Sequence, residues 1–261
     1  MLPQSSADFY RAQQRLAVVT VAAGRKAWQD MGKDFDASWR NVAPRLLLLT
    51  SAAQLAAARN GTGYVGNVLD ETGQPNAPVA AVNPRALVGT APDGRTLASL
   101  LFGAVTEAKM GVGQGASSAD ALARGGRWLD MVLHTVVADA GRQASGVAIA
   151  ARPRMGWVRM VNPPCCQRCA ILAGKWHRYS QGFQRHPRCD CVHIPAVEDR
   201  AGDFRTDPKS LADRGLISGR STGGMDTTTA ATGRMSPEDI YRTTSSRDQA
   251  VELLTQQGYL T

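Results

Sequence analysis

The chain has 261 residues, of which 43% are hydrophobic and 20% are charged, and its net charge is +8. A chain of this length can bury the core of one large domain or of two modest ones. No apolar run approaches the roughly 18 residues that a membrane span needs, which argues against a membrane protein. The first residues lack a basic segment followed by an apolar run, so we expect no signal peptide and a reducing compartment.

Apolar residues recur at spacings of three and four along the first 150 residues, which predicts an antiparallel helical bundle. The first helix should bury a stripe formed by Phe9, Ala12, Leu16, Val19, Ala23 and Ala27. Pro44 should kink or split the second helix, and the Gly-rich residues 60–63 should end it. Loops with one short helix near Tyr64–Asp70 should follow. The helices are expected at residues 7–31, 34–59, 94–110 and 118–150.

The character of the sequence changes after Ala151. Short β-branched and aromatic runs predict strands at residues 155–161, 175–179 and 190–195. Ser236-Pro237 and Ser246 are expected to start two short helices, a small helical hook that docks on a partner. The predicted fold class is therefore α+β, mainly α. Its predicted divisions are a helical body at 1–150, a small β-containing module at 151–205, a flexible linker at 206–234 and the C-terminal hook at 235–261.

All five cysteines lie between Pro163 and Pro195, together with three of the four histidines. A CxxC pair is followed, after a loop, by a second Cys/His cluster, which is the spacing of a four-coordinate zinc site. The ligands that we favour are Cys166, Cys169, His186 and Cys189. Cys191 is the alternate ligand for His186, His193 is a further candidate, and Cys165 is expected to be a bystander.

The competing interpretation is a set of buried free thiols, which leaves unexplained why no cysteine lies elsewhere. If zinc binds here, it supplies folding free energy on the order of 10 kcal/mol to a module too small to be stable alone.

The motifs of catalytic zinc sites are missing from the sequence. No H-x-E precedes the cysteines, as a deaminase would require, and there is no HExxH. A nucleophilic pair of Cys169 and His177 would lack a third group to orient it. We therefore predict a structural zinc ion and no enzymatic activity.

Basic residues dominate the cysteine-rich module. Ten lysines and arginines stand between Ala151 and Arg205 against four acidic residues. Such a surface suits an anionic partner, although a solvated basic face gives the same composition. We expect DNA-backbone contacts, or contacts to an acidic protein, from Lys175, Arg178, Arg185 and Arg188.

The segment from Cys166 to Pro195 closely resembles the C-terminal motif of phage minor head proteins related to protein F of phage Mu. Cys169-Ala-Ile-Leu172-Ala-Gly174 matches the first half of that motif, and His186-Pro-Arg-Cys189-Asp-Cys191 matches the second. The additional Cys166 is similar to the variant found in phages of actinobacteria. The specific motifs cover about thirty residues, and the helical N-terminal half is similar in layout.

The resemblance implies a structural role inside a virion. Such proteins are present in few copies, associate with the portal inside the procapsid, and take part in head assembly or DNA delivery. The implied partners are the portal protein, the major capsid protein and packaged DNA, with no membrane. The implied location is the capsid interior near the portal vertex, after assembly in the host cytoplasm. Two alternatives remain, a zinc-dependent nuclease and a zinc-module DNA-binding regulator.

Overall fold

The computed structural model describes residues 2–186, 188–204, 206–218 and 234–261. Four long helices form the N-terminal part, and the last of them packs against the other three. These helices are α1 (Gln4–Trp28), α2 (Phe35–Glu71), α3 (Leu97–Gly113) and α4 (Ser118–Ala150). A small sheet and several short helices follow, so the predicted fold class, α+β and mainly α, is confirmed. Within the described residues, no helix is both long and apolar enough to span a membrane.

Side-chain caps define where three of these helices begin. Asp34 accepts a hydrogen bond from the amide of Ala37 at the start of α2. Thr96 does the same at α3, and Ser117 accepts from the amide of Asp120 at α4. Each cap satisfies one of the backbone donors that a helix leaves unpaired in its first turn. The predicted boundaries of α4, 118–150, are confirmed.

The predicted break at residues 60–63 is wrong, because α2 runs through it without interruption. Gly61 faces the backbone of α4, and a Cβ atom there would lie 2.3 Å from the carbonyl oxygen of Gly141. This glycine therefore permits close helix packing and does not form a turn. Pro44 lies inside α2 without splitting it, and the short helix expected at 64–70 is the last part of α2.

The buried face of α1 differs from the predicted stripe. Val19 is 65% exposed, and Ala23 is exposed as well. The buried side instead includes the polar Gln13, whose side-chain amide donates to the carbonyl of Ala57. The predicted stripe contained only apolar residues, whereas small and polar residues supply much of the contact of α1 with α2 and α4. The predicted and observed buried faces therefore coincide only in part.

Three antiparallel strands form the main sheet in the order β3–β1–β4, namely β1 (Met155–Met160), β3 (Trp176–Arg178) and β4 (Val192–Val197). In this register Trp157 lies opposite His177 on one side and Pro195 on the other. Two shorter strands, β2 (Cys165–Cys166) and β5 (Ile217–Ser218), pair in parallel. The three predicted strands are confirmed. Short helices α5 (Gln167–Leu172) and α6 (Pro208–Asp213) complete this region.

One hydrophobic cluster spans the sheet and part of the helical bundle. Trp157 and Ile194 of the sheet belong to the same buried cluster as Tyr64 and Val65 of α2 and Ile149 of α4. The boundary predicted at 150/151 therefore crosses a continuous core and does not separate two cores. Part of the predicted linker is also ordered, because α6 and β5 occupy residues 208–218. Residues 219–233 of that linker lie outside the described residues.

The C-terminal segment packs on the chain's own body. Its helices are α7 (Pro237–Thr243) and α8 (Arg247–Gln256), capped by Ser236 and Ser246 as predicted. Ile240 and Leu254 bury against Ala144 and Val147 of α4. The hook that we expected to dock on a partner thus covers the helical bundle.

Candidate metal centre

The structure brings the predicted ligands together in two overlapping groups. The ligand atoms of Cys166, Cys169 and His186 all lie within 4.8 Å of one another, and so do those of Cys169, Cys189 and Cys191. Cys169 belongs to both groups. The four cysteines are buried, and His186 is partly buried. The described residues therefore contain a Cys/His cluster that could hold a metal ion.

The CxxC pair is positioned by the start of a short helix. Cys166 ends β2 and caps α5, where its Sγ accepts a hydrogen bond from the backbone amide of Cys169 at 3.4 Å. This turn places two thiols side by side. Strand β2 is fixed in turn by its pairing with β5, in which Cys165 lies opposite Ile217.

Spacings within the cluster fit a tetrahedral ion. The Nε2 atom of His186 lies 3.1 Å from the Sγ of Cys166 and 3.5 Å from that of Cys169. The Sγ atoms of Cys169 and Cys189 are 3.8 Å apart. With zinc–sulfur bonds of about 2.3 Å and zinc–nitrogen bonds of about 2.1 Å, a tetrahedral zinc ion holds two sulfurs about 3.8 Å apart. The same geometry puts a sulfur and a nitrogen about 3.6 Å apart. These three distances are close to the tetrahedral values, whereas Cys189 is not within 4.8 Å of both Cys166 and His186, so a four-ligand site requires the two groups to move toward each other.

Three of the thiols interact strongly with one another. Hydrogen bonds from Cys169 and Cys191 lower the pKa of Cys189 well below its ordinary value. The same hydrogen bonds, together with burial, raise the pKa of Cys169. Thiol protons form the hydrogen bonds between these sulfurs. A divalent ion would replace those protons, because thiolates are the form of cysteine that binds metals.

Helix α4 holds the second half of the cluster. Arg142 is buried, and its Nε donates to the carbonyl of Cys191 at 2.9 Å, while its Nη2 donates to that of Cys189. Its Nη1 pairs with Asp139 on the same helix. The backbone amide of Arg188 donates to the hydroxyl of Thr135 at 3.1 Å. The Cys189–Cys191 turn is therefore docked on the bundle by polar contacts that the sequence analysis did not anticipate.

The predicted role of Arg185 in DNA binding is wrong. Its side chain is only 6% exposed and forms ion pairs with Asp139 at 2.8 Å and with Glu238 at 2.9 Å. Two carboxylates therefore neutralise the guanidinium, which cannot reach a phosphate. It instead ties the loop that carries His186 to α4 and to α7. Pro187, which follows His186, lies outside the described residues.

The other basic residues predicted to meet a partner are accessible. Lys175 precedes β3, Arg178 ends it, and Arg188 lies in the turn between His186 and Cys189; all three are exposed. Arg188 has a φ of 61°, a backbone conformation that is uncommon for a residue other than glycine.

The remaining cysteine and two histidines of this region lie outside both ligand groups. His193 is buried, and its ring packs edge-on against Trp157 at 4.6 Å, so it is a core residue and not the further ligand considered above. The ring of His177 stacks on the ring of Trp157, and the two ring centroids are 4.2 Å apart. Cys165 is buried and pairs within β2, which agrees with its predicted role as a bystander.

Comparison with known proteins adds no relative: no family model matches the chain, and neither the curated proteins nor the solved structures give a match. The resemblance to phage Mu protein F therefore rests on the motif residues between Cys169 and Cys191. The geometry of those residues is the observation from which a function has to be argued.

Proposed function

We propose that this chain is a structural protein of a phage head, whose fold is stabilised by one zinc ion bound to Cys166, Cys169, Cys189 and His186. The observation that carries this proposal is the pair of overlapping ligand groups that share Cys169, each with its ligand atoms within 4.8 Å of one another. Cys191 is the alternate fourth ligand. The motif that supplies most of these ligands is the one that resembles phage Mu protein F.

A structural role for the ion follows from the ligand count. Three cysteines and one histidine fill all four positions of tetrahedral zinc, so no position stays open for a substrate or an activated water. The cluster also joins segments that are distant in the sequence, β2 with α5 on one side and the turn before β4 on the other. A structural metal ion stabilises a fold by holding such segments together.

The long helices supply surfaces for the proposed contacts with portal and major capsid proteins. Val18 and Val19 of α1 are 64% and 65% exposed, and Leu48 of α2 is 75% exposed. Exposed aliphatic side chains on rigid helices favour protein contacts over contacts with nucleic acid. The proposed location is the head interior near the portal vertex, after assembly in the host cytoplasm.

The exposed cations Lys175, Arg178 and Arg188 are proposed to meet packaged DNA or acidic residues of the portal. Contacts to phosphates need only an accessible positive surface, and each neutralised phosphate releases counterions. We therefore expect weak binding without sequence preference, with an affinity for random-sequence DNA that falls steeply as salt rises. Binding that is insensitive to salt, or no tighter than millimolar at low salt, would favour the acidic protein partner.

Two measurements test the proposal. Elemental analysis of protein purified without chelators should find about one zinc per chain, and less than a tenth of an equivalent would contradict the metal centre. Labelling of purified heads should place the protein at the portal vertex only. Uniform labelling of the shell, or absence from heads, would refute the head role while leaving the metal result intact. Metal-dependent cleavage of DNA by the purified protein would favour the nuclease instead.

A further inference from the structure

Among the described residues, Arg159 has no carboxylate partner although it is a buried cation. It lies in the middle strand β1 and is 1% exposed. Its Nη2 donates to the carbonyl of Gln184 at 2.5 Å, and its guanidinium lies 3.9 Å from the centre of the Phe183 ring. Its Nε and Nη1 atoms have no hydrogen-bond partner, and no ion pair to Arg159 is present within the described residues. A buried unpaired charge is costly, so this arrangement calls for an anion.

The carboxylates nearby already have other partners. Asp139 meets both Arg142 and Arg185, and Glu238 meets Arg185. The half-buried Asp190 accepts a hydrogen bond from the hydroxyl of Tyr10 at 2.9 Å. None of these three carboxylates forms an ion pair with Arg159.

The strand register places Arg159 beside the cysteine cluster. Arg159 lies opposite His193 in the antiparallel pair β1–β4. Cys191 directly precedes β4, two residues before His193, so it is a diagonal neighbour of Arg159. Such diagonal neighbours are within reach of a long side chain. Arg142 approaches from α4, with its guanidinium 5.4 Å from the same Phe183 ring and its Nε bonded to the carbonyl of Cys191.

We propose that Arg159 is the buried counter-cation of the metal–thiolate centre, a positioning residue whose charge is balanced only when the metal-bound thiolates are present. This inference rests on the proposed zinc site. Zinc held by three thiolates and one neutral imidazole carries one excess negative charge, which matches the one unpaired guanidinium.

The test compares zinc affinity in four proteins: wild type, Arg159→Met, Arg159→Lys and Arg168→Met. Methionine keeps much of the volume and removes the charge, while lysine keeps the charge. Arg168 is an exposed arginine between Cys166 and Cys169, so its substitution controls for a general loss of positive charge near the ligands. Affinity is measured by competition with a chromophoric chelator at fixed pH and salt.

Arg159→Met should weaken zinc binding about 10- to 100-fold, the usual effect of removing an outer partner of a metal site. Arg168→Met should change it less than twofold, and Arg159→Lys should lie between wild type and Arg159→Met. If three thiol protons compete with the ion, the pH midpoint of zinc release should rise by about 0.3 to 0.7 in Arg159→Met. With cobalt in place of zinc, the thiolate-to-metal charge-transfer band should move to lower energy.

The outcomes separate this inference from the metal site itself. A wild-type protein that binds no zinc would refute the zinc proposal, whereas wild-type binding with unchanged affinity and pH midpoint in Arg159→Met would overturn the role of Arg159 alone. A purely packing role would lower the unfolding temperature of the zinc-free and zinc-bound forms equally and would leave the cobalt band in place. If Arg159→Met fails to fold, Arg159→Gln and Arg159→Lys are compared, and equal zinc affinity in those two variants would likewise overturn the inference.

Discussion

Gly61 lies where α2 packs against the backbone of α4, and its replacement by alanine should destabilise the protein. A Cβ atom at this position would lie 2.3 Å from the carbonyl oxygen of Gly141 and 3.1 Å from the Cβ of Ala144. The first of these atoms belongs to a helix backbone, so two helices must separate to make room. Overpacking of this kind costs about 1–3 kcal/mol, and we expect the upper end of that range here.

Gly63 provides a matched control in the same helix. A Cβ atom at Gly63 would meet nothing within 4 Å. Alanine there should stabilise α2 by about 0.8–1 kcal/mol, since glycine is a poorer helix former by that amount. The same gain offsets part of the clash at Gly61, which leaves a net loss of about 2 kcal/mol for Gly61→Ala. The two variants should therefore differ by about 3 kcal/mol in the free energy of unfolding.

Thermal unfolding followed by circular dichroism would show this difference. One kcal/mol shifts the Tm of a chain this size by about 2–4 °C, so the two variants should melt roughly 6–12 °C apart, with wild type between them. Gly61→Ala that melts at or above the wild-type temperature would refute the close approach of α2 to α4. Gly63→Ala that melts below wild type would show that residues 60–63 form the turn expected from the sequence.

Three further substitutions, two of them with a matched control variant, test other parts of the structure. Cys169→Ser should abolish stoichiometric zinc binding, because this thiol belongs to both ligand groups, whereas Cys165→Ser should retain it; equal retention would exclude the cluster as the site. Arg247→Met should cost about 2–4 kcal/mol in urea unfolding, because its guanidinium donates to four backbone carbonyls around the end of α4. Arg242 is exposed and ion-paired, so Arg242→Met should lower the free energy of unfolding by less than about 1 kcal/mol. A similar loss in Arg247→Met and Arg242→Met would contradict the difference in burial between the two arginines. Glu71 accepts from two amides of the first turn of α1, and although partial burial opposes them, these hydrogen bonds lower its pKa. Its contribution, at most about 1 kcal/mol, should therefore be present above the ordinary pKa and be lost as pH falls through the lower folded value, and Glu71→Gln should remove this pH dependence.

Local signals in the sequence account for most of the predicted elements. The boundaries of α4 follow from the capping residue Ser117 and from a long apolar periodicity. The strands follow from short aromatic and β-branched runs bounded by glycine and proline. The break at residues 60–63 was mispredicted because a glycine pair has two uses, turn formation and close packing, and only the position of α4 in space decides between them.

The Cys/His cluster could be predicted because metal chemistry restricts both residue type and spacing. The ion pairs around the cluster could not be predicted, because the sequence does not show which cations are buried. Arg185 and Arg188 stand on either side of His186 and look equivalent, yet the first is paired with two carboxylates inside the protein and the second is exposed. What distinguishes them is Asp139, more than forty residues earlier on α4, together with Glu238 on α7. Only the folded chain brings those carboxylates to Arg185.

This burial changes what the C-terminal segment can do. Glu238 pairs with Arg185 beside the ligand His186, and Arg247 of α8 bonds to backbone carbonyls at the end of α4. Release of α7 and α8 to hold a partner would therefore leave two buried guanidiniums with fewer partners and would loosen the loop that carries His186, a proposed metal ligand. Such release is costly, since a buried charge that loses its partner destabilises a protein by about 3–5 kcal/mol. Partner binding that leaves the metal centre intact should instead use outward surfaces, such as the aliphatic residues of α1 and the exposed cations near β3.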